Sequence, residues 1–166
     1  KRAFAEPTGK KYMEVVFAWS SKRHREARMG EDCIFCKIIR GEVPCAKVYE
    51  TDTVLAFLDI APVNKGHTLI VPKSHYSTLF DVPPGFGPDL LLAMRTVGRA
   101  LMGVTGATGL NMGMNTFRTA GQLVFHAHWH LIPRFDGDGL TLWEQRAYDD
   151  KDEINRLARA VREHIA

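Results

Sequence analysis

Long apolar runs are missing from this chain of 166 residues. None nears the ~20 residues that a membrane-spanning helix needs, so no membrane partner is expected. The charged, apolar and small-residue layout of a secretory signal is also missing. Cysteine is scarce, at three residues, and the odd number does not suit a disulfide framework. Free thiols fit a reducing compartment, which points to the cytoplasm. Neither an internal repeat nor a low-complexity block is present. Apolar content of 45% and charged content of 25% are ordinary for a globular chain, so one domain with a real core is the expectation.

A strong charge of one sign is lacking too, once the charge is located. The net charge is +3. Residues 1–30 carry eight basic side chains (Lys1, Arg2, Lys10, Lys11, Lys22, Arg23, Arg25 and Arg28) against Glu6, Glu14 and Glu26. The rest of the chain holds 14 of the 22 basic residues against 16 of the 19 acidic ones, a balance of −2. A nucleic-acid groove over the core is therefore not expected. Residues 1–30 look like a basic, partly ordered extension in which only EVVFAW could form a short element, and Met29 could open a shorter natural form. Residues 31–166 are the expected folded domain.

From Cys33 onward the pattern is regular. CIFCKIIRGE carries a short helical stripe, Ile34, Phe35, Ile38 and Ile39, ended by Gly41. KVYE and TVLAFLDI read as strands around Thr51-Asp52. HTLIVPKSH reads as a strand closing at Pro72. In PDLLLAMRTVGRALMGV, Pro88 suits a first helical turn, and Leu91, Leu92, Met94, Val97, Leu101, Met102 and Val104 form the predicted apolar face. GLNMGMN and QLVFHAHWHLIP are two further strands, and DKDEINRLARAVREHI is an amphipathic helix with acids first and bases later. The fold class expected is α+β, with about five mostly antiparallel strands and two main helices.

Three constellations carry chemistry. In HAHWHLIPR, His126 to Arg134, three histidines alternate. On a strand they share one face, with adjacent pairs ~6.6 Å apart. The strand is otherwise strongly apolar, which argues against three merely solvated rings. Cys33-x-x-Cys36 reads as a redox pair, half of a zinc site, or chance at a helix start. Two thiolates with two imidazoles make a closed, structural zinc site, and His75 and one histidine of the row are the natural completing ligands. Gly121-Gln122 places a side-chain amide and turn N–H groups where phosphate oxygens could bind.

HAHWHLI matches the His-φ-His-φ-His-φ-φ signature of the histidine triad (HIT) superfamily of nucleotide hydrolases and transferases. CIFCKIIRGEVP, VLAFLDIAPVNKGHTLIVPKSH and NTFRTAGQLVFHAHWHLIPR follow in the order and spacing of that family, so the resemblance runs from Cys33 to about Phe135. It implies a HIT-like domain that dimerises through the long helix and a sheet edge. It implies that His128 attacks the α-phosphorus of a purine nucleotide and forms a nucleotidyl-histidine that water hydrolyses. The His126 carbonyl would fix the His128 tautomer, and His130 and Gln122 would hold phosphate oxygens. Asn115 would contact the phosphate or leaving-group region, and Asp59 the ribose hydroxyls. Phe35, Ile38, Phe57 and Ile60 would wall the purine pocket, although plain core packing would also explain them. Zinc-containing branches of the superfamily imply Cys33, Cys36, His75 and His126 as ligands of a structural zinc, with no organic cofactor. His67 would give hydrogen-bonding support, Cys45 would be a small buried residue, and Trp143 would shape the pocket or cap the core.

One departure is clear. Where many members carry Ser or Thr after the Gly-Gln, this chain has Leu123, which donates no hydrogen bond and implies weaker leaving-group assistance. Among substrates, adenosine phosphoramidates come first, dinucleoside polyphosphates second and nucleotidyl transfer third. The non-catalytic alternative is a zinc-stabilised nucleotide-binding module.

Overall fold

A computed structural model describes residues 30–165; the expectations for the extension, EVVFAW and Met29 included, lie outside the described residues. The chain divides into two compact units, one running to Asp136 and one starting at Gly137.

The first unit begins with helix α1 (Ile34–Ile39), preceded by Cys33 in extended conformation. Strands β1 (Lys47–Glu50), β2 (Val54–Leu58) and β3 (Thr68–Pro72) follow, then helix α2 (Gly87–Thr105) and strands β4 (Gly109–Gly113) and β5 (Trp129–Arg134). The strands form one sheet in the order β1-β2-β3-β5-β4, with every neighbouring pair antiparallel. The five-stranded antiparallel α+β architecture expected from the sequence is the one found.

Side chains on a strand alternate between faces, and here the alternation sorts two cores. Val54, Ala56, Ile70, Ala127, Trp129 and Leu131 pack with Val97 and Leu101 of α2. Leu55, Phe57, Leu69 and Val71 pack with Phe35 of α1 on the other face. Both faces of β2 and β3 are covered, which is why VLAFL and TLIVP are near-continuous apolar runs. The pairing of Leu69 with His130 puts the even-numbered histidines on the α1 face.

Two sequence expectations are corrected. QLVFHAHWHLIP is not one strand: only its part from Trp129 onward joins the ladder. The pairing of β3 with β5 runs from Thr68 to Ile70; in that register Val71 and Pro72 face His128 and Ala127, Pro72 has no N–H to extend the ladder, and residues 122–126 lie beyond the end of β3. Ala127 instead donates its N–H to the Tyr76 carbonyl at 2.6 Å. The core face of α2 is also offset from the predicted one. Ala93, Val97, Gly98 and Leu101 are buried, whereas Leu91, Leu92, Met102 and Val104 are exposed. Gly98 explains the offset, because a Cβ there would lie 2.9 Å from Leu110 Cδ2. The helix approaches β4 on its glycine side.

The second unit contains helix α3 (Glu153–Ile165), whose stripe Ile154, Leu157, Val161 and Ile165 is exposed. Trp143, in this unit, is 88% exposed. No described helix is long and apolar enough to cross a membrane.

Candidate functional site

The α1 face of the sheet gathers the polar residues in two adjacent groups. Cys33 and Cys36 lie one helical turn apart and so point the same way. His75 follows β3, and His126 lies in the extended segment before β5. The Nδ1 atom of His126 is 3.5 Å from each of Cys33 Sγ and Cys36 Sγ, and His75 Nδ1 is 3.3 Å from Cys36 Sγ. All four residues offer ligand atoms within 4.8 Å of one another.

The tautomer of His126 follows from its partner. Its Nε2 lies 2.9 Å from the Pro72 carbonyl, which can only accept, so Nε2 carries the proton and Nδ1 presents a lone pair to the sulfurs. Burial pushes the Cys33 thiol up, but hydrogen bonds with His126 and His75 outweigh it and bring it down to about 5. Burial and the neighbouring Cys33 push Cys36 up to about 11. Two thiols of opposite tendency share one site with two imidazoles, and His75 Nε2 is buried without a partner among the described residues. This donor set fits a metal ion, with the Pro72 carbonyl orienting the His126 ring.

The second group is built around the other two triad histidines. His128 donates Nδ1–H to the His126 carbonyl at 2.6 Å, which leaves Nε2 with a free lone pair. Phe35 packs edge-on against the His128 ring, with centroids 5.2 Å apart. Burial lowers the pKa of His128, opposed by the hydrogen bond to the His126 carbonyl, so the ring is neutral near pH 7.

His67 orders the third ring. It accepts the Val63 N–H at Nδ1, 3.2 Å away, so its proton sits on Nε2. That Nε2–H donates to His130 Nδ1 at 2.9 Å, which forces the His130 proton onto its own Nε2. His130 Nε2 is buried and has no partner among the described residues. Burial, with His128 and His67 nearby, holds the His130 pKa down to about 4. The result is a neutral N–H donor with an unmet hydrogen bond, centred 5.0 Å from the His128 ring.

His128 and His130 open onto a cavity of about 470 Å³. Phe35, Ile38, Phe57, Asp59 and Ile60 line it, as do Cys45 and Leu123. Phe35 and Phe57 form an apolar floor, while Ile60 is fully exposed and stands at the rim rather than in a wall. Asp59 accepts the Ala61 N–H at Oδ1, 2.9 Å, and its Oδ2 lies 3.6 Å from His67 Nδ1. Cys45 is half-buried at the cavity instead of sealed in the core.

Gln122 is the clear correction. Its Nε2 donates both protons, to the Ser77 carbonyl at 2.7 Å and the Val124 carbonyl at 3.1 Å. Its Oε1 accepts the Phe117 N–H at 2.8 Å. The amide is 1% exposed and has no donor left for phosphate. It clamps Phe117, which sits at φ 68°, ψ 161°, a region almost reserved to glycine that costs about 1–3 kcal/mol. Nothing in the sequence signals that strain. Gly121 beside it, at φ +90°, turns the loop, and Asn115 Nδ2 lies 3.4 Å from where a Cβ at Gly121 would sit. Asn115 therefore flanks the turn, outside the cavity lining.

The family model described as HIT domain matches residues 40–137. The chain is 42% identical over 137 residues to adenylylsulfatase HINT3 of Arabidopsis thaliana, covering 81% of this chain and 70% of that protein. It is 36% identical over 139 residues to adenosine 5'-monophosphoramidase HNT1 of Candida albicans, covering 81% of this chain and 91% of that one. A solved structure of a Zn-bound histidine triad family protein from Mycobacterium smegmatis is similar with a TM-score of 0.64 at 36% identity, covering 82% of this chain and 96% of the other. With three ordered histidines on one face of an antiparallel sheet and a family match over most of the sheet, the chain belongs to the HIT domain family.

Proposed function

We propose that this chain is a nucleotide hydrolase that cleaves adenosine phosphoramidates at the α-phosphorus through a nucleotidyl-His128 intermediate. One observation carries the reading: His128 Nδ1–H is tied to the His126 carbonyl, so a bare Nε2 lone pair faces the cavity beside the unmet N–H of His130. The name of the Candida relative, a monophosphoramidase, supports the substrate class.

The nucleoside occupies the cavity, with the base over Phe35 and Phe57, and Asp59 Oδ2 accepts from a ribose hydroxyl. His128 Nε2 attacks the α-phosphorus; the N–P bond forms as the bond to the amine nitrogen breaks. The amine departs with a proton taken up from solvent. His130 Nε2–H donates to a non-bridging oxygen as negative charge builds there. Water then attacks phosphorus, the N–P bond breaks, and AMP leaves as the water gives up a proton. The net reaction consumes one water and regenerates neutral His128.

Cys33, Cys36, His75 and His126 would hold a structural zinc, a reading supported by their donor set and by the zinc-bound relative. When bound, zinc would fix the His126 backbone from which His128 is oriented. A homodimer and a cytoplasmic setting belong to the same reading. Strand β4 is a sheet edge, Leu91, Leu92, Met102 and Val104 point outward on α2, and three free thiols suit a reducing compartment. The test is His128→Ala, assayed against AMP phosphoramidates. Turnover should vanish while nucleotide binding and metal content persist; surviving turnover would overturn the assignment.

A further inference from the structure

Cys33 and Cys36 are placed to bond to each other as well as to a metal. Their sulfurs converge on one point, each 3.5 Å from His126 Nδ1, and lie within 4.8 Å of one another. A disulfide needs an S–S distance of ~2.05 Å, and the Cys-x-x-Cys spacing is one that forms such bonds reversibly. Both thiols are free, and they differ in access. Cys33 is half-buried between the exposed Asp32 and Ile34, whereas Cys36 is buried. An accessible thiol is the one an oxidant reaches, and a sheltered thiol beside it resolves the product.

The pair acts on the reaction site through one residue. His126 is fully buried; its Nδ1 faces the two sulfurs, and its carbonyl takes the His128 Nδ1–H at 2.6 Å. Because His126 Nε2–H is given to the Pro72 carbonyl, Nδ1 holds a lone pair. A thiol proton or a metal ion meets that lone pair. A disulfide has neither to offer, so closing it leaves a buried acceptor unmet at the residue that orients His128.

We propose that Cys33 and Cys36 are a peroxide-sensitive switch, in which oxidation to a disulfide excludes the metal, unseats His126 and lowers turnover at His128. The control of turnover rests on the hydrolase reading above. The Cys33 sulfur attacks one peroxide oxygen and the O–O bond breaks. This gives a sulfenic acid and a hydroxide that takes up the thiol proton as water. The Cys36 sulfur then attacks the Cys33 sulfur, the S–O bond breaks, and the hydroxide leaves with the Cys36 proton as a second water. Two thiols and one peroxide become one disulfide and two waters. A thiol reductant reverses the change.

The test treats the reduced, zinc-loaded protein with hydrogen peroxide and reads three quantities on one sample. Tryptic cleavage keeps Cys33 and Cys36 together in residues 29–37 and puts Cys45 in residues 41–47. The first peptide should become lighter by two hydrogens and resist alkylation, with zinc released to a colorimetric chelator in step. Turnover of an AMP phosphoramidate should fall by up to about a hundredfold, the cost of displacing a reacting group by about 1 Å. Dithiothreitol with zinc resupplied should restore all three. Cys36→Ser gives a second reading: with no resolving thiol, a sulfenic acid should be trapped by dimedone at Cys33. Oxidation confined to Cys45, or a disulfide that leaves zinc and turnover unchanged, would overturn the switch and leave the hydrolase reading standing. Reduced protein that takes up no zinc would overturn the switch as well. Reduced, zinc-loaded protein that hydrolyses no AMP phosphoramidate would overturn the hydrolase reading and, with it, the control of turnover.

Discussion

Replacing Gln122 by Ala separates a clamp from a phosphate ligand. The side chain makes three hydrogen bonds, to Phe117, Ser77 and Val124, and is 1% exposed. At about 1 kcal/mol net each, their loss is worth ~3 kcal/mol, and groups left unpaired in the interior raise that figure. Relaxation of Phe117 out of its strained conformation works in the opposite direction by about 1–3 kcal/mol. Only part of that strain is released, because the Ala120 N–H still binds the Phe117 carbonyl. A net loss of about 2–3 kcal/mol follows, which lowers Tm by roughly 10 °C for a domain of this size. Thermal and urea unfolding followed by circular dichroism measure it, with turnover recorded on the same samples at a temperature where the variant is folded. A variant as stable as the parent but with turnover lost would refute the clamp and return the amide to phosphate binding.

Other consequences follow from the same geometry. His130→Ala removes the unmet N–H donor beside His128, and kcat should fall about 10²–10³-fold with KM little changed; a change in KM alone would assign His130 to ground-state binding. Burial lowers the pKa of His128, and that of His130 to about 4, so both rings stay neutral at a lower pH than an ordinary histidine, and turnover should begin to fall only below pH 6.5. In the same window the unfolded chain, titrating near ~6.5, binds more protons than the folded one. Stability present above that pH should therefore decline as pH falls toward about 4, and a urea midpoint that rises over this range would contradict the histidine burial. Chelation, or Cys36→Ser, should lower Tm and release metal in proportion; a protein indifferent to both would show that the Cys33, Cys36, His75 and His126 cluster does not hold one.

The part of the site legible in the sequence is the part governed by short-range periodicity. Alternation put His126, His128 and His130 on one face, and the one-turn spacing of Cys33 and Cys36 put both sulfurs on one side of α1. His75 and His126 then completed the cluster through their placement around Pro72. What sequence could not carry depends on contacts between distant segments. The ladder begins at Trp129, opposite Ile70, and Pro72 at the end of β3 has no N–H with which to extend it. Both stripes of α2 are apolar, and hydrophobicity alone does not tell which one Gly98 allows against Leu110. Gln122 looks like a ligand beside a glycine until Ser77, 45 residues earlier, is seen to take its proton. His67 is one histidine in a strand-forming run until the Val63 N–H fixes its tautomer and, through it, that of His130.

In the proposed reaction His128 Nε2 carries the nucleotide between two displacement steps. Mixing the protein with an AMP phosphoramidate, quenching within a single turnover and measuring intact and digested masses tests it directly. The expected result is an added nucleotidyl mass confined to the peptide bearing His128, appearing before AMP is released and absent in His128→Ala. Turnover with no such adduct at any quench time, or an adduct on another residue, would contradict it.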